Sequence, residues 1–545
     1  MRTPWTLRFS AILALLLILT ACRPAATPAQ PTAAPSRPTA ASNRPTAVRP
    51  QATATLAPGL PDKPAPPAAG AAAASTATST LFGLAWDDRA AFAQGLIASE
   101  QDALEQLATA SVYHIDLHIE DSLRQATGRL EVRYTNREQT ALEEVVFRLF
   151  PNLTGGSMTV TNLLVDGAPV TPGYAQEDSV LAVPLPTALQ PGQQAVISMD
   201  FAVTVPTDAA SSNYGTFAYL DGVLALAHAY PMIAVYDDEG WNQEIAPPDG
   251  DVVYADASFY RVQVTAPDDL VVVTSGTTLE QQQVDRQQVL TIVAGPARDF
   301  YLAASPSYQV VSRQVGETLI NSYAPARLES SATEVADVAA QALESLSARF
   351  GPYPYRELDL VSTATSALGV EYPGIIAITD AIYDRMFRQY LESTVAHEVA
   401  HQWFYNLVGN DQVDEPWLDE GLTQFATLLY YQDQHGPAGA QGFRASLEGR
   451  WEHSDGAQIP LGLPVAAYGE DGQYPGTYGS IIYGRGALFF EALADAMGQE
   501  TFDAFLADYV QTHRWGIATI ASLRALAEQH CGCDLGALFE AWVYP

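Results

Sequence analysis

Residues 394–404 read Thr-Val-Ala-His-Glu-Val-Ala-His-Gln-Trp-Phe, and this stretch decides how the second half of the chain is interpreted. It places His397, Glu398 and His401 inside a run, from about 388 to 408, whose composition favours a helix. In a helix, residues four apart lie on one face about one turn from each other, so both imidazoles can reach one metal ion. Glu398 then lies near the open side of that ion. The stretch therefore predicts a metal site on a helix.

A third ligand must come from elsewhere in the chain. The stretch 417–421 reads Trp-Leu-Asp-Glu-Gly, and its Glu420 begins the next helical run, with 18 residues between His401 and Glu420. That length allows the first helix to end, the chain to turn at 409–416, and a second helix to return antiparallel. Two histidines and one glutamate leave a coordination position for water, which is typical of catalytic zinc sites. We therefore predict one Zn²⁺ per chain, bound by His397, His401 and Glu420.

The charge and composition of the chain exclude several classes of protein. The 545 residues include 62 Asp or Glu and 27 Lys or Arg, a formal net charge of -35. Phosphate backbones repel such a chain, so we expect no nucleic-acid partner. Only 16% of the residues are charged while 48% are hydrophobic, which excludes an acidic disordered protein and predicts large cores.

The first 22 residues have the features of an export signal. Arg2 and Arg8 precede an apolar stretch at 9–19 that is shorter than the roughly 20 residues of a transmembrane helix. The sequence Leu-Thr-Ala-Cys at 19–22 resembles the lipobox of bacterial lipoproteins, in which the cysteine is lipidated. The alternative is an ordinary signal peptide that contains a cysteine. We expect residues 1–22 to be a lipoprotein signal peptide, and a lipid on Cys22 to hold the protein on the extracytoplasmic side of a bacterial membrane.

Four further segments follow from composition and periodicity. Residues 23–80 are almost entirely Pro, Ala, Thr, Ser and Gln, which predicts a disordered stalk. Residues 81–110 read as a helical lead-in. From 111 to 310, apolar and polar residues alternate in short runs between Gly, Pro and Asp turns, which predicts an all-β domain. Residues 311–545 read as mainly helical, with an early helix at 333–350 and a strand at 358–362.

Several motifs together resemble the aminopeptidase N family of gluzincin metallopeptidases. The most specific are residues 397–404 and 417–421, which match the zinc motif of that family. The stretch 368–373, Leu-Gly-Val-Glu-Tyr-Pro, is similar to its exopeptidase motif, and 478–486 is similar to the segment that holds its catalytic tyrosine. The resemblance covers about 110–545. It implies a saddle-like antiparallel β domain followed by a thermolysin-like, mainly helical zinc-peptidase domain.

The resemblance also implies a function and residue roles. It implies a zinc-dependent aminopeptidase, which removes N-terminal residues from peptides. Glu398 would be the general base, Tyr483 would donate a hydrogen bond to the oxyanion, and Glu371 would bind the free α-amine of the peptide. Gly369 and Tyr478 are expected in the substrate site. Tyr478 also suits the spacing of the catalytic tyrosine.

Two other functions remain open at this point. If Glu371 is one more solvated acid, the protein is a zinc endopeptidase of the same fold. Members of the family usually continue into a helical domain that roofs the active site, and we expect this protein to lack that domain. We therefore expect a more open site, and the second alternative is a catalytically weak, peptide-binding lipoprotein. Cys531 and Cys533 can form a disulfide or remain two free thiols.

Overall fold

The computed structural model describes residues 80–545 except 210–213, 246, 248, 249, 251, 252, 385 and 386. The predicted signal peptide, Cys22 and nearly all of the predicted stalk lie outside the described residues. Among the helices that are described, each is too short or too polar to cross a membrane.

The segment before the first strand is not the helical lead-in that we expected at 81–110. It consists of short 3₁₀ turns at Thr80–Gly83, Phe92–Gln94 and Ala98–Glu100 and a single turn of α-helix, α1 (Ala103–Gln106). Tertiary contacts explain the difference. The Trp86 ring stacks on His114 at 4.2 Å, and Arg261 Nη2 lies 3.1 Å from Asp88 Oδ2. These contacts hold the segment against the first sheet in an irregular path.

Strands dominate the chain from Val112 to Ser305. They are β1 (Val112–Ile119), β2 (Gln125–Thr135), β3 (Leu142–Arg148), β4 (Ser157–Val165), β5 (Ala168–Pro169), β6 (Gly173–Ala175), β7 (Val180–Leu189), β8 (Gln194–Thr204), β9 (Phe217–Leu220), β10 (Val223–Ala227), β11 (Met232–Ile233), β12 (Tyr236–Asp237), β13 (Gly240–Trp241), β14 (Ser258–Pro267), β15 (Val271–Thr274), β16 (Thr277–Val284), β17 (Gln287–Ala297) and β18 (Tyr301–Ser305).

These strands form an antiparallel β domain, which confirms the predicted fold class. The largest sheet has eight strands in the order β16-β17-β14-β1-β2-β8-β4-β5, and only the β1–β14 pair is parallel. Two four-stranded sheets have the orders β15-β18-β10-β9 and β11-β3-β7-β6. Buried residues alternate with more exposed ones along β8, because successive side chains of a strand point to opposite faces. Leu130, Phe147 and Ile197 belong to the core between the sheets.

The remaining chain is mainly helical around one mixed sheet. Its elements are β19 (Tyr308–Val315), β20 (Thr318–Pro325), α2 (Glu329–Phe350), β21 (Glu357–Thr363), β22 (Gly369–Val370), β23 (Ile375–Thr379), α3 (Asp380–Tyr383), α4 (Leu391–Ala400), α5 (Trp417–Glu452), α6 (Tyr478–Ser480), a π-helical turn (Ile481–Arg485), α7 (Gly486–Met497), α8 (Gln499–Thr512), α9 (Ile520–Cys531) and α10 (Gly536–Trp542).

The sheet of this second part has the order β19-β20-β21-β23-β22, and α2 connects β20 to the parallel strand β21. Val335, Ala339, Ala342 and Leu346 are buried at helical spacing, which explains why this stretch forms a helix that packs on its neighbours. The predicted helix at 333–350 and strand at 358–362 therefore exist with slightly wider bounds. The predicted domain boundary at 310/311 remains a prediction.

The helix that carries the histidines is shorter than the predicted run from 388 to 408. A turn at Arg388–Tyr390 leads into α4, which ends at Ala400. Arg298, from the β domain, donates hydrogen bonds to the carbonyls of Tyr405 and Leu407 and holds the loop after the helix in place. Tyr405 also has a φ of 142°, which no α-helix permits. The chain therefore turns sharply after His401.

Candidate metal centre

The three predicted zinc ligands meet between α4 and the first turn of α5. His397 Nε2 lies 3.1 Å from His401 Nε2 and 3.3 Å from Glu420 Oε2, and His401 Nε2 lies 3.6 Å from Glu420 Oε2. A tetrahedral zinc ion with bonds of about 2.0–2.2 Å requires ligand atoms about 3.3–3.6 Å apart. All three side chains are buried. The donor set therefore fits one zinc ion, with two of the three distances in that range and the third, between the histidines, shorter by about 0.2 Å.

Hydrogen bonds orient the ligands. His401 Nδ1 lies 2.9 Å from the carbonyl oxygen of Phe404 and 3.2 Å from Thr423 Oγ1. A proton on Nδ1 can be donated to that carbonyl, which leaves the Nε2 lone pair to the metal. Asp419 Oδ1 accepts a hydrogen bond of 2.9 Å from the backbone N–H of Glu420. Asp419 therefore supports the ligand beside it, and burial, followed by the charge of Glu420, raises the pKa of Asp419 to about 7.

Glu398 lies beside the centre with one free carboxylate oxygen. Its side chain is buried, and Oε2 has no hydrogen-bond partner among the described residues. Burial raises the pKa of Glu398 well above its ordinary range, and the charge of Glu371 adds to this. Gly369, in β22, makes this position possible: a Cβ at Gly369 would lie 2.4 Å from the Glu398 carboxyl carbon. The close approach needs a residue without a side chain.

Glu371 occupies the same wall of the site. It is 6% exposed, and its Oε1 accepts a hydrogen bond of 3.4 Å from Gln412 Nε2. The same Gln412 group donates to Asp419 Oδ2 at 2.7 Å. Ligand atoms of Glu371, His401 and Asp419 lie within 4.8 Å of one another. Glu371 is therefore next to the centre on the His401 side, and burial raises its pKa.

Two tyrosines also line the site, Tyr478 in α6 and Tyr483 in the π-helical turn that follows it. The Tyr483 hydroxyl donates a hydrogen bond to Glu420 Oε1, and the Tyr483 ring lies 6.0 Å from the His397 ring. The Tyr478 ring packs edge-on against Tyr483 with centroids 5.9 Å apart. Tyr483 is thus the tyrosine that contacts a metal ligand, and Tyr478 lines the cavity beside it.

All eight of these predicted residues line one cavity of about 360 Å³, so the structure brings them together. The cavity contains His397, Glu398, His401, Glu420, Glu371, Gly369, Tyr478 and Tyr483. Of the predicted site residues, only Cys22 is not placed, since it lies outside the described residues.

One cluster in the cavity wall was missed by the sequence reasoning. Asp299 Oδ2 accepts a hydrogen bond of 2.6 Å from the Tyr405 hydroxyl and lies 3.1 Å from His228 Nε2. His228 has a φ of 49° and Tyr405 has a φ of 142°. Both backbone conformations are uncommon for residues with side chains of this size. The stretch 297–300, Ala-Arg-Asp-Phe, resembles the β domain of the family, but nothing in the sequence indicated that Asp299 would reach the cavity.

Arg298, next to Asp299 in the sequence, has a structural role. Its guanidinium donates to the carbonyls of Ala255, Tyr405, Leu407 and Gly516, and the side chain is 1% exposed. It therefore joins the β domain to the loop after the zinc-binding helix. At the other end of the chain, Cys531 and Cys533 form a disulfide, which decides the question that the sequence left open.

An antiparallel β domain, a mainly helical second domain and a His-His-Glu centre beside a buried glutamate form the arrangement that the resemblance to gluzincin metallopeptidases implied. Residues 335–542 match the family model described as "Peptidase family M1 domain". The second domain therefore matches the M1 peptidase family, which is the aminopeptidase N family that the motifs resembled.

Curated relatives are similar over about half of the chain. Aminopeptidase 2 of Candida albicans is 24% identical over 306 residues, which are 52% of this chain and 32% of that protein. Aminopeptidase B of Rattus norvegicus is 30% identical over 279 residues, which are 47% of this chain and 40% of that protein. The chain thus spans well under half the length of these relatives.

Solved structures share the fold. An M1 zinc metallopeptidase from Deinococcus radiodurans superimposes with a TM-score of 0.60 at 21% identity, over 80% of this chain and 93% of that one. A two-domain M1 zinc metallopeptidase mutant bound to L-arginine gives the same TM-score and identity, over 80% and 94%. The arrangement of a β domain followed by a helical zinc domain is therefore that of two-domain M1 metallopeptidases.

Proposed function

We propose that the protein is a zinc-dependent aminopeptidase that removes N-terminal residues from peptides. The observation that carries this proposal is Glu371, a buried carboxylate beside the metal centre. Its described hydrogen-bond partner is the neutral amide of Gln412, and no described Lys or Arg forms an ion pair with it. A buried carboxylate is costly unless a cation pairs with it. The ammonium group of a peptide is such a cation, and it would align the first peptide bond with the zinc centre.

The chain's own residues supply the rest of the reaction. When bound, zinc polarises a carbonyl and lowers the pKa of water to about 7. Glu398, with its unpaired Oε2, accepts a proton from the attacking water and passes it to the leaving amine. The Tyr483 hydroxyl donates a hydrogen bond to Glu420 in this structure and can donate one to an oxyanion that forms beside Glu420. Because Gly369 has no side chain, it leaves room for the Glu398 carboxylate.

The test compares free-amine peptides with N-acetylated versions of the same peptides. The proposal predicts cleavage of the free-amine forms, at least 100-fold slower cleavage of the acetylated forms, and loss of this difference in Glu371→Gln. Glu344→Gln, an exposed acid on α2, is the matched control and should behave as wild type. Equal rates on both forms would identify a zinc endopeptidase. Chelator-sensitive activity on neither form would identify a weakly catalytic, peptide-binding protein.

We further propose that the protein is exported and held on the outer side of a bacterial membrane by a lipid on Cys22. Support comes from the sequence of residues 1–22 and from the stalk composition of 23–80. Labelling of expressing bacteria with a fatty-acid probe should mark the wild type but not Cys22→Ala. The variant should also move from the membrane fraction to the soluble extracytoplasmic fraction. Equal labelling of the two proteins would refute the lipid site.

A further inference from the structure

The cavity contains one cationic side chain besides its histidines. Among the described residues that line it, Arg450 near the end of α5 is the only Arg or Lys. Four acids line the same cavity: Asp299, Glu371, Glu398 and Glu420. Arg450 is half-buried, so its guanidinium has lost part of its hydration and still faces the cavity.

The Arg450 guanidinium has no hydrogen bond or ion pair with any described residue. A basic residue on the same helix shows the contrast. Arg444 lies 2.6 Å from Glu448 and 2.8 Å from Glu491, at the protein surface. A partly buried guanidinium without an anionic partner is an available binding group for a carboxylate, which it can hold with two parallel hydrogen bonds.

The position of Arg450 is set by the π-helical turn. A Cβ at Gly484 would lie 3.1 Å from the Arg450 Cβ and 2.9 Å from the Trp451 nitrogen, so the turn packs directly on α5. Burial lowers the pKa of Arg450, while nearby Tyr483 and Glu420 raise it. The guanidinium therefore lies on the Tyr483 side of the metal centre.

Glu371 and Arg450 flank the metal centre from different sides. Glu371 lies beside His401 and Asp419, within the 4.8 Å cluster. Arg450 packs against the turn that carries Tyr483, and the Tyr483 ring lies 6.0 Å from the ring of the other histidine, His397. An anionic group and a cationic group on either side of the centre match a short zwitterionic peptide, because each extended residue spans only about 3.3–3.6 Å.

We propose that Arg450 binds a substrate carboxylate on the leaving-group side of the scissile bond. The preferred substrates are then short peptides with a carboxylate one residue beyond the cleaved bond, supplied either by the C-terminus or by an acidic side chain. The proposal rests on the aminopeptidase function proposed above, and it assigns Arg450 to specificity rather than to the chemical step.

Two substrate pairs separate the two sources of the carboxylate. Leu-Ala against Leu-Ala-amide tests the C-terminal carboxylate, and Leu-Glu-amide against Leu-Gln-amide tests the acidic side chain. In the wild type, KM for the carboxylate member of at least one pair should be about 10–100-fold lower, as expected for a hydrogen-bonded charge. Arg450→Gln should bring that ratio close to one, whatever its effect on kcat, and Arg450→Lys should keep part of it. Arg444→Gln removes a charge from the same helix and should leave the ratio unchanged.

The proposal would be overturned if the KM values of the two members of each pair were within twofold of each other in the wild type. It would also be overturned if Arg450→Gln left the KM ratio unchanged. Equal slowing of both members of a pair would also overturn it, since the guanidinium would then act on Tyr483. If the wild type cleaves none of these peptides, the aminopeptidase proposal is wrong. Calorimetry on zinc-loaded protein then gives a dissociation constant for each peptide. The ratio of these constants within each pair still decides the role of Arg450. Circular dichroism checks that each variant is folded.

Discussion

Replacement of Gly369 by alanine should disable the enzyme without removing its metal. The new Cβ would lie 2.4 Å from the Glu398 carboxyl carbon and Oε1, and 2.5 Å from its Cγ. Ordinary van der Waals contacts begin at 3.4 Å, so the carboxyl group must move by about 1 Å. A misplacement of about 1 Å at a reacting group can cost about 100-fold in rate. We therefore expect kcat for a free-amine dipeptide to fall about 100-fold in Gly369→Ala.

The assay is steady-state kinetics with zinc content measured on the same samples. Gly442→Ala is the matched control, because Gly442 lies in α5, is exposed and has no atom within 4 Å of the position that the added methyl group would take. Alanine in a helix is more favourable than glycine by roughly 0.5–1 kcal/mol, so this control should be slightly more stable and fully active. A Gly369→Ala enzyme with kcat within threefold of the wild type would refute the account of Glu398.

Three further changes have defined outcomes. Glu398→Gln should keep its zinc by metal analysis and lose about 100-fold to 10,000-fold in kcat, and substantial residual turnover would remove Glu398 from the base role. Tyr483→Phe should lower kcat about 100-fold to 1000-fold, and an effect confined to KM would contradict its role at the oxyanion. Burial, followed by the charge of Arg261, lowers the pKa of His114 from 6.5 to about 4, so the unfolded chain binds more protons between these values and stability falls as the pH falls through this window. His114→Phe should lose less Tm between pH 7 and 5 than the wild type, and an identical loss would exclude His114 as a cause.

The metal centre was predictable because its geometry is mostly local. His397 and His401 are one helical turn apart, and Glu420 follows at the start of the next helix, so spacing alone brings three ligands together. The β domain was predictable for a similar reason, since alternation of buried and exposed residues is a local property of strands such as β8.

The errors concern segments that distant residues control. The helix that carries the histidines ends at Ala400, and Arg298, about 100 positions earlier in the chain, bonds the carbonyls of Tyr405 and Leu407 in the loop that follows. The position of Arg450 depends on a close packing at Gly484 that no periodicity reports. Such long-range contacts override local propensity, and a single sequence does not reveal them.

A zinc titration followed by activity tests most directly whether the protein is a zinc-dependent peptidase. Metal is removed with a chelator, the chelator is removed, and zinc is added back in fractions of an equivalent while cleavage of a free-amine dipeptide is measured. We expect no turnover in the metal-free protein, a linear return of the rate, and saturation at one zinc per chain. His401→Ala should show no such return. Full activity in the metal-free protein would contradict a zinc-dependent peptidase.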